Sequence, residues 1–280
     1  MTGIAQFSYR FASMLALLLL AACVHVPQNL QLLQSTETDQ SCTVRESNGD
    51  ELQLAAAGFT LSSWNMCKGC RQGWKGDLRQ LADQSDLLLL QEAHMQEPLE
   101  QLLDASGLDW SLVHAFSLDG WPAGVLTGAR VHPLAVCAQR ISEPFLRVPK
   151  TAMLSYYALE GRTESLLVVN VHGVNFAPGS TDLAHQLLPL QERIARHDGP
   201  VIVAGDFNTW SRRRMAVLRQ LARKNGLRAV SFEGTPSRHF GRQLDHIYYR
   251  GLIVQHAWVT ALRSSDHYPL NVTFKADQEI

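Results

Sequence analysis

Three stretches of the chain are apolar almost without a break, and each ends in polar residues. They are Asp86-Leu87-Leu88-Leu89-Leu90-Gln91-Glu92, Ser165-Leu166-Leu167-Val168-Val169-Asn170-Val171-His172 and Val201-Ile202-Val203-Ala204-Gly205-Asp206-Phe207-Asn208. Short runs without period-two alternation are the pattern of strands buried on both faces. Gly205 is expected to end the third run. Asp206 and Asn208 then stand two apart, so on an extended backbone both side chains leave on one side. Thr209 stands where an N-cap is expected, ahead of a helix over residues 210–225 stopped by Gly226.

The remaining pattern fills in around these runs. Phe59-Thr60-Leu61-Ser62-Ser63-Trp64-Asn65 alternates and reads as the first core strand. Residues 77–82 read as a short amphipathic helix, and residues 98–106 as a second one closed by Gly107. Strands are expected at 111–116, 123–127, 131–139 and 152–159, with Pro and Gly between them. Ser180 and Thr181 cap a helix running to His197. Strands at 243–249 and 252–260, a loop at 264–267 and a strand at 268–274 complete the series. Strands mixed with helices, without repeats or internal linkers, give one α/β domain over residues 58–280.

The first 57 residues differ in character. Arg10 precedes the apolar run Phe11-Ala12-Ser13-Met14-Leu15-Ala16-Leu17-Leu18-Leu19-Leu20, which suits the apolar segment of a signal peptide better than a membrane span. Leu20-Ala21-Ala22-Cys23 resembles the lipobox of bacterial lipoproteins. That resemblance implies a signal peptide over residues 1–22 and lipid attachment at Cys23. Val24 in the following position implies sorting to the outer membrane, facing the periplasm. Residues 23–57 are polar and irregular and read as a tether with an edge strand.

Composition narrows the function classes. The 280 residues are 46% hydrophobic, enough for a sizeable core, and the net charge of −1 supplies no basic field for nucleic acid. Arg212-Arg213-Arg214 reads as a solvated helix face. Export would leave Cys42, Cys67, Cys70 and Cys137, an even number in an oxidising compartment with three pairings open. Cys67-Lys68-Gly69-Cys70 has redox or metal spacing, but it lacks a nearby second pair, and a structural disulfide is the expectation.

Six strand ends or loops carry polar side chains: Asn65; Glu92; His172 with Asn175; Asp206 with Asn208; Asp245; and Asp266 with His267. Each has a bland alternative. Asp206 with Asn208 is also a turn motif, a lone histidine is more often a core residue than a catalyst, and Asp266-His267 before Tyr268-Pro269 also suits a plain turn.

Taken in order, Trp64-Asn65, Leu90-Gln91-Glu92, Val169-Asn170-Val171-His172 with Asn175, Gly205-Asp206-Phe207-Asn208, Leu244-Asp245-His246 and Ser265-Asp266-His267-Tyr268-Pro269 resemble the endonuclease/exonuclease/phosphatase (DNase I-like) superfamily. The stretches 172–176 and 204–215 resemble its YafD-like bacterial subgroup. The resemblance implies a four-layer α/β sandwich, two mixed sheets face to face with helices outside. It implies a Mg²⁺-dependent phosphodiesterase or phosphatase, with Mn²⁺ as the alternative ion. Its substrate would be a phosphodiester or phosphomonoester: nucleic acid, as for a nuclease, or lipid, as for a phospholipase C-like enzyme. By that resemblance Glu92, Asn65 and Asp266 hold the metal, and Asp206 deprotonates water. Asn208 and Asn175 hold phosphate oxygens, Asp245 supports the imidazolium of His267, and His172 lies near the leaving group. Cys67 stands where some nucleases carry a further acidic ligand. The competing class is a non-catalytic envelope lipoprotein that keeps the fold as a binding module. No protein partner is legible.

Overall fold

The computed structural model describes residues 24–34, 42–45, 52–144, 148–177, 179–234, 238–239 and 241–277. The signal segment 1–22 and Cys23 lie outside the described residues. Secondary structure begins with three short strands, β1 (Val24–His25), β2 (Gln31–Gln34) and β3 (Cys42–Val44). They are followed by β4 (Phe59–Asn65), α1 (Trp74–Gln84), β5 (Leu87–His94), α2 (Glu97–Ser106), β6 (Asp109–Leu118) and β7 (Trp121–Ala129). The middle of the chain forms β8 (Ala135–Ser142), β9 (Pro149–Tyr157), β10 (Leu166–His172), α3 (Thr181–Ala195), β11 (Val201–Asp206) and α4 (Arg212–Lys224). The C-terminal part adds β12 (Arg228–Ala229), β13 (Arg238–His239), β14 (Arg242–Gln243), β15 (Asp245–Arg250), β16 (Leu252–Val259) and β17 (Leu270–Ala276).

These strands form two mixed sheets. One runs β1-β6-β7-β5-β4-β17-β16, with β2 also on β6; the other runs β12-β15-β11-β10-β9-β8-β3. Each has one parallel pair near its centre, β4 with β5 and β10 with β11, joined in sequence across α1 and α3. The two parallel pairs are built from the apolar runs and Phe59–Asn65. Their C-terminal ends are in register, Asn65 opposite Gln91 and His172 opposite Asp206. Strand ends in such sheets are where ligands bind.

Burial explains why the runs do not alternate. Leu87 and Leu89 pack between the sheets with Leu166, Val168, Ile202 and Phe274. Leu88 and Leu90 point the other way, onto Leu78, Leu81, Leu99 and Leu103 of α1 and α2. Leu167, Val169 and Val203 likewise meet Leu183 and Leu187 of α3 and Leu218 and Leu221 of α4. The result is the four-layer sandwich, helices outside two facing sheets. Gln91 and Asn170 cross the inter-sheet core: Gln91 Nε2 donates to Asn170 Oδ1 at 2.8 Å, and Asn170 Nδ2 donates to the Leu126 carbonyl at 2.8 Å.

Within the segment read as a tether, β1 and β2 pair with β6 and β3 pairs with β8. Cys42 sits opposite Cys137 in that last pairing, and the two form a disulfide. Cys67 and Cys70 form the other. The described cysteines thus pair as 42–137 and 67–70, one of the three arrangements left open by the sequence.

A candidate active site where the two parallel pairs end

Gly205 does not end its strand. β11 continues through Asp206, and Gly205 allows this at φ 136°, because a Cβ there would meet the Val171 carbonyl of β10 at 2.0 Å. The chain turns only at Asn208, whose φ of 51° is left-handed, so Asp206 and Asn208 do not share an extended backbone. Thr209 is not the cap: its hydroxyl donates to the Gln243 carbonyl, while Ser211 Oγ accepts from Arg214 N and starts α4. Asp206 is buried and held at both oxygens. Oδ1 accepts from Asn208 N at 2.8 Å, and Oδ2 accepts from Asn65 Nδ2 at 3.1 Å.

Asp245 lies opposite Asp206 in the β11–β15 ladder. Its Oδ2 accepts from His267 Nδ1 at 2.8 Å. Burial alone would deprotonate His267, but Asp245, with Asp206 and Asp266 behind it, raises its pKa to about 10. Asp206, Asp245 and His267 bring ligand atoms within 4.8 Å of one another. As an imidazolium, His267 has no lone pair for a metal and can only donate, while the two carboxylates can only accept. Burial pushes the Asp206 carboxyl up, yet it lies below the ordinary aspartate value because His267 faces it and the Asn208 N–H caps it.

Glu92 projects from β5 at a bulge, where the register with β7 shifts between Leu90 and Ala93. Its φ of 52° is left-handed, a strained backbone of the kind that re-aims a side chain at a site. Lys68 sits in the loop closed by Cys67–Cys70, with its own φ at 56°, and its ammonium pairs with Glu92 Oε2. His172 Nε2 lies 3.7 Å from Glu92 Oε1 and 3.8 Å from Asp206 Oδ2, so the ring stands between the two carboxylates. Lys150 Nζ stands 2.8 Å from the same His172 nitrogen. Burial, then Lys150, pushes the His172 pKa down to about 3, so the ring is neutral and accepts the Lys150 hydrogen bond. Burial also lowers the Lys150 ammonium, against the pull of Glu92, Glu143 and Asp206. Glu92 is raised by burial but held below the ordinary carboxylate range by His172, to the extent that ring is charged, and by the ammonium groups of Lys68 and Lys150.

A second shell of contacts shapes the loops. Glu143 accepts from the backbone N–H groups of Asn175 (2.6 Å) and Phe176 (3.2 Å). Trp210 Nε1 donates to Asn175 Oδ1 at 3.1 Å, which leaves the Asn175 amide Nδ2 as the donor for a ligand. Asn208 Nδ2 donates to the Gly173 carbonyl at 2.9 Å. Arg214 is fully buried rather than solvated. It donates to the carbonyls of Asn208, at 2.6 Å, and Val174, and its guanidinium lies 5.2 Å from the Trp210 ring centre. Replacing Arg214 with Met leaves those carbonyls unpaired. The expected cost is about 3 kcal/mol, read as a fall in Tm of roughly 6–12 °C by calorimetry. A shift under about 2 °C would mean that the arginine carries no such burden.

The structure therefore brings together Asn65, Glu92, His172, Asn175, Asp206, Asn208, Asp245 and His267. Asp266 is exposed, with Oδ1 at 3.4 Å from Ser265 Oγ. Lys68, Glu143, Lys150 and Arg214 belong to the same neighbourhood and were not singled out by sequence. Lys68, Glu92, Glu143, Lys150, His172 and Asn175 share a cavity of about 370 Å³. A larger groove of about 1130 Å³, lined by residues such as Glu160, Arg162 and Lys275, contains none of them.

Residues 62–267 match the Endonuclease/Exonuclease/phosphatase family. Solved structures share the fold. The human Nocturnin catalytic domain with bound sulfate anion superposes with a TM-score of 0.61 at 19% identity, covering 81% of this chain and 97% of that one. An endonuclease/exonuclease/phosphatase family protein from Leptotrichia buccalis C-1013-b gives 0.60 at 18%, covering 78% and 99%. ANGEL2, a 2',3'-cyclic phosphatase, gives 0.59 at 15%, covering 78% and 95%. Every activity in the family's name is hydrolysis of a phosphate ester, the reaction that buried carboxylates beside an imidazolium suit. The chain belongs to the Endonuclease/Exonuclease/phosphatase family, among hydrolases of phosphate esters.

Proposed function

We propose that this chain is a divalent-metal-dependent phosphodiesterase held at the bacterial envelope through Cys23. The observation that carries the catalytic reading is the buried Asp206 carboxylate, flanked by the Asp245-supported His267 imidazolium, with neutral His172 standing between it and Glu92.

The residues fit a hard cation. Glu92 supplies an ionised carboxylate, Asn65 a carboxamide oxygen that also accepts from Cys67 N at 3.0 Å, and Asp266 an exposed carboxylate next to His267. Lys68 occupies Glu92 with a positive charge and would have to yield; a third of its side chain is exposed (34%), and its stem is flexible. Mg²⁺ or Mn²⁺ bound there would neutralise charge developing on the phosphate.

The chain's own groups perform the remaining work. Asp206 is locked in orientation by Asn65 and Asn208, and it accepts a proton from the attacking water. His267 uses Nδ1–H on Asp245, which leaves Nε2–H to donate to a phosphate oxygen. Asn175 Nδ2 is left to donate by the Trp210 bond to its oxygen, and Asn208 Nδ2 has a second hydrogen besides the one on the Gly173 carbonyl. Lys150, hydrogen-bonded to neutral His172, is placed to protonate a leaving oxygen on the Glu92 side.

The reading is tested with bis-p-nitrophenyl phosphate, plasmid DNA, RNA, sphingomyelin and inositol phosphates, each with Mg²⁺ and with EDTA. Hydrolysis of at least one ester that EDTA abolishes is expected. EDTA-resistant hydrolysis would overturn the metal requirement, and no hydrolysis of any ester would favour the binding-module class. The anchor has its own test: Cys23→Ser is expected to remove labelled palmitate from the protein in cells. Equal labelling of both forms would sink the lipoprotein assignment. No helix among the described residues is long and apolar enough to cross a membrane.

A further inference from the structure

The 370 Å³ cavity has two unlike halves. One presents Lys68, Glu92, Lys150, His172 and Asn175; the other is mostly hydrocarbon, from Val24, Phe116, Leu118, Ala123, Val148 and Pro149, with Glu143 beside Val148. The apolar surface continues outward. Phe176, also on the wall, is 56% exposed, and Trp121 is 42% exposed. Trp121 is the cross-strand partner of Leu118, and Leu118 is in turn the partner of Val24. The wall, the exposed Trp121 and the first described residue of the chain thus lie side by side at one end of the sandwich.

We infer that this cavity binds the hydrocarbon adjoining the phosphate of an amphiphilic phosphate ester presented by a membrane. The inference rests on the phosphoesterase reading and names its substrate class. A sugar or inositol phosphate would meet hydrocarbon where it needs hydrogen bonds. Nucleic acid would need a run of cations along a track, whereas the cavity wall offers only Lys68 and Lys150 and the chain's net charge is −1. Exposed Trp beside an apolar opening is the chemistry of a membrane–water interface. The residue before Val24 is Cys23, the expected lipid attachment point. Val24 pairs with Leu118 at the cavity wall, so a lipid carried on the residue before it would hold a bilayer on the side of the opening. In the reaction, water adds to phosphorus and gives its proton to Asp206. The P–O bond on the hydrocarbon side breaks, and the released alcohol oxygen takes a proton from the Lys150 ammonium.

Binding separates this inference from the enzyme reading. Each buried methylene is worth roughly a fourfold gain in affinity. Octyl phosphate, below its micelle concentration, is therefore expected to bind the full chain at least ~100-fold more tightly than inorganic phosphate by calorimetry. Phe116→Asp should cut that ratio at least tenfold. On vesicles of phosphatidylethanolamine and phosphatidylglycerol, the double variant Trp121→Asp, Phe176→Asp should lower lipid hydrolysis relative to bis-p-nitrophenyl phosphate hydrolysis at least tenfold. An octyl phosphate advantage with no hydrolysis of any ester would support the cavity assignment and overturn the enzyme reading. Octyl phosphate binding no tighter than inorganic phosphate, or a dinucleotide binding more tightly than octyl phosphate, would overturn the cavity assignment while leaving phosphoesterase activity to stand on its own assay.

Discussion

In the Asp245→Asn variant the alkaline fall of the rate is expected to move from near pH 10 to near neutrality. The sign follows from which form works. His267 acts as a cation, its pKa is raised to about 10, and the rate therefore holds below that pH and is lost as pH rises through it. Burial opposes the charge, so the carboxylate 2.8 Å away is what sustains it. Without Asp245 the imidazole falls back toward or below its free value of about 6.5. His267→Ala removes the donor itself and is expected to cost on the order of 10²- to 10³-fold in kcat. Because the two residues serve one function, the double variant should be little worse than His267→Ala alone. Multiplicative losses, or an unmoved alkaline limb in Asp245→Asn, would show that they do not act as a pair.

Asp206→Asn is expected to lower kcat by roughly 10²- to 10⁴-fold, the range for losing a positioned general base. KM should change little, because the substituted amide keeps the shape and the variant loses proton acceptance rather than substrate contact. A second readout separates chemistry from packing. Asp206 helps hold the His267 proton, so His267 should titrate at lower pH in Asp206→Asn, as followed by NMR of its ring. A loss confined to KM, with an unchanged His267 titration, would remove Asp206 from the mechanism.

Much of this site was legible because it lies at the ends of strands whose pattern is unambiguous. Leu87 to Leu90 face both sheet surfaces in turn, so their run is unbroken; Glu92 follows it at a bulge, and β5 continues to His94 rather than ending there. Val201 to Ala204 form the same kind of run, in a strand that Asp206 ends. The residues that escaped are those whose partners are remote. Lys150 is the second residue of β9, but the pattern places that strand from residue 152, and nothing local sets Lys150 against His172. Lys68 meets Glu92 only because a disulfide-closed loop folds back over β5. Arg214 did leave a signal. It stands at the helical spacing of Leu218, Leu221 and Ala222, the buried stripe of α4; the run of three arginines obscured that period. Gly205 was read as a stop because glycine breaks strands in general, whereas β10 approaches too closely there for any Cβ. Thr209 and Ser211 are both competent caps, and the choice was made by the Gln243 carbonyl, a contact with no local trace.

The most direct test of the account is Mg²⁺ binding by calorimetry to the wild type and to Glu92→Ala, with hydrolysis of bis-p-nitrophenyl phosphate measured on the same samples. Glu92 is partly exposed at a bulge of β5 and is not a core residue, so the variant should remain folded with a Tm close to wild type. The account predicts that it loses both Mg²⁺ affinity and hydrolysis, each by at least tenfold. A folded Glu92→Ala variant that binds Mg²⁺ and hydrolyses the ester as the wild type does would contradict it.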